Sequence, residues 1–250
     1  MKVAVIGNTK QTLKALKRLV KERYDVKLVF GLSIAEAENK VNYVDLNSYC
    51  HNNNIILEDS NNWEIFSDLD VDLVLLLGDS RIIPKDVLKK HKVIGNHGAV
   101  LPYVQGGASL VWGRMLGDGT WGISLMELNE IIDGGKILIT KEFCYDSDCS
   151  MEEFVDKADD LTVDALFEYL NGSCKPESNS KWDIKINKYT DSSFARDILI
   201  KTLREKKNIY LPPRVPSDGL IDNKWGSDFI KKFKSANSYP YPRWYTEVNW

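Results

Sequence analysis

The stretch Lys2-Val3-Ala4-Val5-Ile6-Gly7, near the start of the chain, decides the fold. It is a continuous apolar run without polar alternation, which is typical of a parallel strand buried on both faces. Residues 12–23 follow with leucines at helical spacing on one face and lysines on the other. A buried strand that leads into an amphipathic helix predicts an α/β sheet.

Strands and helices continue to alternate along the chain. Strands are predicted at 26–30, 55–57, 72–77, 92–94, 121–128 and 136–143, and helices within 41–53, from Pro84 onwards and at 151–169. Over the first hundred residues the apolar runs are short, and helical patterns separate them. The sequence therefore predicts a doubly wound α/β fold, with a mostly parallel sheet and helices on both faces.

A polar stretch at 171–180 separates this pattern from the rest of the chain, so we predict a main domain over 1–175 and a small C-terminal extension, 176–250, packed on it. The 250 residues are 43% hydrophobic and 28% charged, which is ordinary for a soluble globular protein. No apolar run approaches the ~20 residues that span a membrane. Because the first residues also lack the pattern of a secretion signal, we expect a cytoplasmic protein without membrane contact.

Charge and missing motifs argue against several classes of function. The net charge is −3, whereas a large nucleic-acid footprint usually carries a basic balance. The four cysteines form no CxxC pair, so we expect reduced structural thiols and no metal site. No GxGxxG, P-loop or GxSxG pattern occurs. The turn Gly7-Asn8-Thr9-Lys10 has two interpretations, a phosphate contact through backbone N–H groups or a plain strand–helix connection.

The candidate site follows two of the predicted strands. Gly78-Asp79-Ser80-Arg81 comes after one apolar run, and Gly95-Asn96-His97 comes after the next. Ligands bind outside the carboxyl ends of parallel strands, so these two segments are expected side by side at that edge. His97 lies in a turn-rich segment directly after a predicted strand, whereas His51 and His91 are interpreted as structural or surface residues.

Asn96, His97 and Asp133 together supply the groups that acyl transfer to an amine requires. An amide donor stabilises an oxyanion, an imidazole moves a proton, and a carboxylate orients the imidazole. Asp133-Gly134-Gly135 lies between two predicted strands, and a hairpin-like return would bring Asp133 towards His97. Taken alone, this Asp-Gly pair also indicates a tight turn.

These segments, as an ordered set, resemble the N10-formyltetrahydrofolate-dependent formyltransferases, and within them the sugar N-formyltransferases. The resemblance covers most of 70–140 and a patch at 214–245. Its elements are Ser80-Arg81-Ile82-Ile83-Pro84, His97-Gly98-Ala99-Val100-Leu101-Pro102, residues 106–112, Gly122-Ile123-Ser124, Asp133-Gly134-Gly135-Lys136-Ile137-Leu138, Asp218-Gly219-Leu220-Ile221-Asp222 and Tyr239-Pro240-Tyr241-Pro242.

The chain departs from the family pattern at Gly95, at Ala99 in place of a serine and at Arg243 in place of a glycine, and the first departure matters most. The family asparagine stands two residues before the histidine, where this chain has Gly95, and Asn96 stands one residue later. Side chains alternate along an extended segment, so Asn96 replaces the missing amide only if a local bulge re-aims it.

The resemblance implies a Rossmann-like fold and transfer of a formyl group from the co-substrate N10-formyltetrahydrofolate, without a metal, to the amine of a nucleotide-linked amino sugar. Such a reaction serves the synthesis of surface polysaccharide, including the O-antigen of lipopolysaccharide. It also implies catalytic roles for Asn96, His97 and Asp133, folate contacts at Ser80, Arg81, Ile82, Ile83, Asn129 and Ile132, and sugar contacts at Tyr103, Gln105 and Trp112. We expect a homodimer, because enzymes that dimerise often bury an aromatic tail.

Three alternatives stay open. The acceptor could be methionyl-tRNA, whose enzyme is expected to carry a longer, basic C-terminal domain. It could be glycinamide ribonucleotide, whose enzyme is expected to end near the first domain. A non-catalytic binding protein of the same fold is the third alternative, and Gly95 is the residue that motivates it.

Overall fold

The computed structural model describes residues 1–32, 37, 40–59, 61–117, 119–173 and 209–246. The strands are β1 (Lys2–Ile6), β2 (Asp25–Phe30), β3 (Ile56–Glu58), β4 (Leu73–Leu76), β5 (Val93–His97), β6 (Val104–Gly106), β7 (Thr120–Glu127), β8 (Lys136–Cys144) and β9 (Ile209–Leu211). The α-helices are α1 (Lys10–Lys21), α2 (Asn47–Asn52), α3 (Lys85–Lys90), α4 (Ser109–Leu116), α5 (Met151–Leu170) and α6 (Ser227–Ala236), and two short 3-10 helices lie at Trp63–Ser67 and Pro216–Gly219.

Seven strands form one sheet in the order β3-β2-β1-β4-β5-β7-β8, and β6 pairs with β9 in a separate two-stranded sheet. The pairs β2–β3, β1–β2, β1–β4 and β4–β5 are all parallel. The reversal of strand order beside β1 is the topology of a doubly wound sheet. The predicted fold class, a Rossmann-like and mostly parallel sheet, is therefore confirmed.

The described chain divides into two compact units. Unit 1 contains Met1–Asn96, Leu125–Leu138 and Thr162–Ser173, and unit 2 contains His97–Ser124, Ile139–Leu161 and Cys174–Trp250. Unit 1 has a core built on the inner strands, and its buried members are Ala4, Ile6, Leu28, Phe30, Phe66, Val74, Ile83, Val87 and Val93. Unit 2 has a core of its own around α4, the start of α5 and α6. The predicted domain boundary near 175 falls outside the described residues and stays a prediction.

Two sequence expectations differ from the structure. The strand predicted at 92–94 continues through His97, because Gly95 pairs with Leu76 of β4 and this pairing overrides the turn tendency of Gly and Asn. The helix expected within 41–53 begins only at Asn47. Residues 41–46 instead form a turn followed by irregular backbone, in which the Val44 N–H donates to the Asn8 carbonyl at 2.7 Å.

Within the described ranges, no helix is both long enough and apolar enough to cross a membrane. In the same residues no group of three or more His, Cys, Asp or Glu side chains could hold a metal ion. Cys50, Cys144 and Cys149 are free thiols, while Cys174 lies outside the described residues. Burial raises the pKa of the Cys50 thiol to about 11, which keeps it protonated near neutral pH.

Candidate active site

The two strands that lead to the candidate site are neighbours, as predicted. β4 and β5 are parallel, with Leu76 opposite Gly95, so the segments after them start from the same edge of the sheet. Gly78 has φ +66°, a left-handed conformation that glycine adopts without strain, and a Cβ there would collide with the Thr9 hydroxyl. This close approach turns the chain sharply where β4 ends.

His97 is the last residue of β5 and is 7% exposed. Its Nε2 lies 3.1 Å from the carbonyl oxygen of Val104. A carbonyl oxygen only accepts hydrogen bonds, so Nε2 carries the proton of this bond. In the neutral ring the basic nitrogen is then Nδ1, and the tautomer of His97 is set by the backbone seven residues along the chain.

The segment after His97 is fixed by side chains from elsewhere in unit 2. The Leu101 N–H donates to the Ser124 hydroxyl at 2.8 Å, and that hydroxyl donates to the Ala99 carbonyl at 2.8 Å. The Trp121 indole N–H donates to the Gly98 carbonyl at 2.7 Å. Ser124 is fully buried, so the orientation of this segment depends on tertiary contacts.

Gly95 lies against the side chain of Leu128. A Cβ at position 95 would lie 3.0 and 3.1 Å from the two methyl carbons of Leu128, which leaves little room for a larger residue. The pairing of β4 with β5 runs without a register shift up to Gly95, so no bulge in this ladder re-aims Asn96. Alternation along β5 places Gly95 and His97 on one face of the sheet and Asn96, which is half-buried, on the other.

Asp133 lies in a loop of unit 1 that hydrogen bonds from the Asn129 side chain organise. The Ile131 N–H donates to the Asn129 side-chain oxygen at 2.8 Å, and the Asn129 amide donates to the Gly134 carbonyl at 2.9 Å. Asp133 is half-buried, with φ +53°. Ile131 and Ile132 are 69% and 65% exposed, so the loop presents an apolar surface.

The segment 80–83 presents a similar surface in unit 1. Ile82 is 77% exposed, whereas Ile83 packs into the core. Lys85 begins α3, and its ammonium lies 2.6 Å from a carboxylate oxygen of Glu130, which ties the start of α3 to the loop of Asp133. This hydrogen bond raises the pKa of Lys85 and lowers that of Glu130.

The side chain of Arg81 has a structural environment. Its guanidinium donates to the Asp79 carboxylate at 2.8 Å and to the Phe30 carbonyl at 3.1 Å. It also lies 4.9 Å from the ring centre of Phe30 and 5.6 Å from that of Trp63. The Arg81 backbone N–H donates to Asp79 as well, so Asp79 shapes the turn in which a folate contact is predicted.

Three residues were predicted to contact the sugar, and the structure gives Trp112 a packing role. Its ring is 1% exposed, and its indole N–H donates to the Pro212 carbonyl at 2.9 Å. Tyr103 and Gln105 are half-buried on either side of Val104, beside β9, and the Tyr103 carbonyl accepts a hydrogen bond from Ile209. The predicted sugar contacts of these three residues stay predictions.

The turn after β1 behaves as a plain connection. The Gly7 N–H donates to Phe30, and the Lys10 N–H donates to Asn42. The Thr9 N–H donates to the Thr12 hydroxyl at 3.0 Å, within a capping box that begins α1. Three of the four N–H groups of this turn are therefore bonded within the protein, which favours the structural interpretation over a phosphate contact.

Six aromatic residues in the described part of the C-terminal extension have two different environments. Trp225, Phe229 and Phe233 pack in the core of unit 2. Tyr239, Trp244 and Tyr245 are exposed instead. The four-residue spacing of Phe229 and Phe233 is typical of one face of a helix and indicates that both are packed in the core. No pattern in the sequence indicates that Tyr239, Trp244 and Tyr245 are exposed.

Comparison with known proteins places the chain among formyltransferases. A family model described as formyl transferase matches residues 1–170. A methionyl-tRNA formyltransferase from Prochlorococcus marinus subsp. pastoris is 24% identical over 79% of this chain, which spans 63% of the length of that relative.

Two solved structures share the fold. A sugar N-formyltransferase from Shewanella sp. FDAARGOS_354 has a TM-score of 0.68 at 13% identity, covering 98% of this chain and 92% of that one. WlaRD, a sugar 3N-formyl transferase solved in the presence of dTDP and 5-N-formyl-THF, has a TM-score of 0.64 at 14% identity, covering 94% of this chain and 78% of that one. Since the family model spans more than half of the 250 residues, the chain belongs to the formyl transferase family.

Proposed function

We propose that this protein is a sugar N-formyltransferase, which moves the formyl group of N10-formyltetrahydrofolate to the amine of a nucleotide-linked amino sugar. The observation that carries the proposal is the buried His97, whose Nε2 is held on the Val104 carbonyl and whose neutral ring therefore has its basic nitrogen at Nδ1. A buried imidazole of fixed tautomer is suited to accept a proton at one defined atom.

The reaction requires one proton acceptor on the enzyme. The sugar amine attacks the formyl carbon as the free base, a new C–N bond forms, and the amine nitrogen loses a proton to His97. The bond from the formyl carbon to N10 of the folate then breaks, and N10 takes that proton from the His97 imidazolium, which returns the ring to its neutral form. Asp133 favours the imidazolium of His97, and the protonated ring donates to the oxyanion of the tetrahedral intermediate. Asn96 was predicted to share this role, but alternation along β5 places it on the other face of the sheet from His97, so the proposal does not include it.

The folate side of the proposal depends on unit 1. Ile82, Ile131 and Ile132 are all largely exposed, and the ion pair of Lys85 with Glu130 joins the two segments that carry them. These isoleucines offer the apolar surface that the flat pterin ring requires, and the neighbouring backbone of Ser80, Asn129 and Asp133 offers hydrogen-bonding groups. These residues fit the co-substrate that the formyltransferase family implies.

Two structural relatives support a sugar acceptor. One is a sugar N-formyltransferase that shares the fold along nearly the whole of both chains, and the other was solved with dTDP and a formyl-folate. The net charge of −3 also argues against a large tRNA footprint. Synthesis of O-antigen precursors in the cytoplasm, and assembly as a homodimer, belong to the same proposal.

Specific observations favour two other candidates. Methionyl-tRNA as acceptor is supported by the relative from Prochlorococcus marinus. A non-catalytic binding protein is supported by Leu128, whose side chain leaves little room beside Gly95 where the family carries an amide.

One experiment separates these candidates. The full chain is mixed with N10-formyltetrahydrofolate and, in parallel, with dTDP-, UDP- and GDP-linked amino sugars, methionyl-tRNA and glycinamide ribonucleotide. Mass spectrometry then detects the acceptor that gains one formyl group. A formylated nucleotide sugar supports the proposal, a formylated tRNA or ribonucleotide replaces it, and sugar binding without any product indicates the binding protein.

A further inference from the structure

The N-terminus of α4 is open. The Trp112 N–H donates to the carbonyl of Ala108, the residue before the helix, at 3.1 Å, and no side chain caps the helix start. Among the residues that the structure describes, none accepts a hydrogen bond from the backbone N–H groups of 109–111. Three donors are therefore available at a helix end whose dipole favours negative charge.

Ser109, the first residue of α4, adds a side-chain donor to this helix end. It is 9% exposed, and within the described ranges its hydroxyl forms no hydrogen bond. Buried hydroxyl groups normally have a partner, because an unpaired polar group loses its hydration without compensation. The unpaired hydroxyl therefore indicates a ligand oxygen independently of the helix end.

The open end of α4 lies against the segment that begins at His97. A Cβ at Gly98 would lie 2.8 Å from the Ser109 hydroxyl oxygen and 2.8 Å from Cγ of Leu110. Glycine at this position lets the start of the helix contact the residue that directly follows His97. Gly98 is itself held, because its carbonyl accepts from the Trp121 indole at 2.7 Å. All of these residues belong to unit 2.

The proposed reaction lacks one donor that the family pattern contains. The family carries an amide at position 95, where this chain has Gly95 and where Leu128 leaves little room. Asn96 lies on the other face of the sheet from His97. The formyl oxygen becomes an oxyanion in the tetrahedral intermediate, and donors already in place stabilise that charge.

We infer that Ser109 is a catalytic residue, whose hydroxyl donates to the formyl oxygen as negative charge develops on it. The first N–H groups of α4 add their dipoles to the same oxygen. The Ser109 hydroxyl keeps its proton and forms no covalent bond, so the proton still passes from the amine through His97 to N10. The inference rests on the proposed function, because it assigns a donor to the same transfer. It also explains the missing cap, since a capping side chain would occupy these N–H groups.

The test is steady-state kinetics of Ser109→Ala in the full chain, with N10-formyltetrahydrofolate and the acceptor that the unmodified chain formylates. We expect kcat to fall about 10²-fold, while KM for the acceptor and the dissociation constant for folate stay within about twofold. This pattern is that of an interaction made only in the transition state. Ser109→Thr keeps a hydroxyl and should retain most of kcat.

The pH profile of kcat/KM separates a donor from a structural role. Because the hydroxyl keeps its proton, Ser109→Ala should lower the profile by the same factor at every pH. A substitution that merely displaced His97 would change the shape of the profile.

Ser227→Ala is the matched control. Ser227 is also the first residue of a helix of unit 2, α6, whose start has no side-chain cap, but Ser227 is exposed. Its substitution should leave kcat unchanged, and thermal unfolding establishes that every variant is folded. The inference is overturned if Ser109→Ala keeps the kcat of the unmodified chain, if its profile changes shape, or if folded Ser109→Thr is as slow as Ser109→Ala.

The inference and the proposed function fail separately. The oxyanion forms with any amine acceptor, so transfer to methionyl-tRNA or glycinamide ribonucleotide overturns the proposed function while the Ser109 test proceeds with that acceptor. Normal turnover of Ser109→Ala with a nucleotide amino sugar overturns only the inference. Absence of formyl transfer to every acceptor overturns both.

Discussion

The segment 97–104 in unit 2 and the loop 128–134 in unit 1 carry the two residues proposed for proton transfer, yet they are built in opposite ways. The first begins at a buried histidine and is fixed by Ser124 and Trp121, which are distant in the sequence. The second is organised by hydrogen bonds between residues of the same loop and exposes Ile131 and Ile132. A proton-transferring ring needs one orientation, whereas a surface that receives a flat ligand needs open apolar area.

The largest effect on turnover is expected at His97, the first residue of the segment 97–104. His97→Ala should lower kcat by about 10²–10⁴-fold, because it removes the proposed proton acceptor, while the dissociation constant for folate stays the same. Stopped-flow or coupled assays measure kcat, and calorimetry measures folate binding. His51→Ala is the matched control, because His51 is exposed on α2. Near-normal turnover in His97→Ala would remove the histidine from the mechanism.

The corresponding substitution in the loop 128–134 is Asp133→Asn. Asparagine tolerates the left-handed φ of +53° and has the same size, so the substitution removes charge without straining the backbone. We expect kcat to fall by about 10²-fold, at the lower end of the range for acid–base groups. Glu130→Gln, in the same loop, breaks the exposed ion pair with Lys85 and should leave kcat within about twofold. Equal effects of the two substitutions would mean that Asp133 acts only through loop structure.

The contrast between the two segments also explains what the sequence could predict. The inner strands are short apolar runs whose pattern is local, and β1, β2 and β4 lie where the runs at 2–6, 26–30 and 72–77 indicated. The loop 128–134 was predictable for the same reason, since Asn129 and Gly134 define its turn within six residues. Contacts close in sequence leave a readable pattern.

Elements held by distant contacts left no such pattern. α4 was missed because seven of its eight residues are buried, so it shows no amphipathic stripe, and it begins after Ala108 in a left-handed conformation without a capping side chain. β6 and β9 are three residues each and pair across about a hundred positions. The tautomer of His97 depends on a hydrogen bond to the backbone carbonyl of Val104. A backbone acceptor is present at every residue, so the sequence does not predict this bond.

A smaller effect is expected from restoring the family residue at position 95. Gly95→Asn should lower the free energy of unfolding by about 1–3 kcal/mol, because its Cβ lies only 3.0 Å from Leu128 and overpacks the site. Adding Leu128→Ala should relieve the contact, so that the double variant is more stable than the sum of the two single variants predicts. Chemical denaturation measures both values. Purely additive losses would show that Leu128 does not restrict position 95.

The smallest effect is expected on folate affinity when the exposed isoleucines are substituted. It tests whether these side chains contact folate or are merely exposed. Ile82→Ser and Ile132→Ser should each weaken folate binding about three- to tenfold, because part of the side-chain area that folate covers is lost. Neither should change the free energy of unfolding by more than about 0.5 kcal/mol, since both side chains are largely exposed. Ile56→Ser is the matched control, because Ile56 is 64% exposed on the edge strand β3 of the same unit. If Ile56→Ser weakens folate binding as much as the other two, Ile82 and Ile132 have no special role. If only Ile82 and Ile132 matter, exposed segments of unit 1 bind the donor while the segment 97–104 performs the proton transfer.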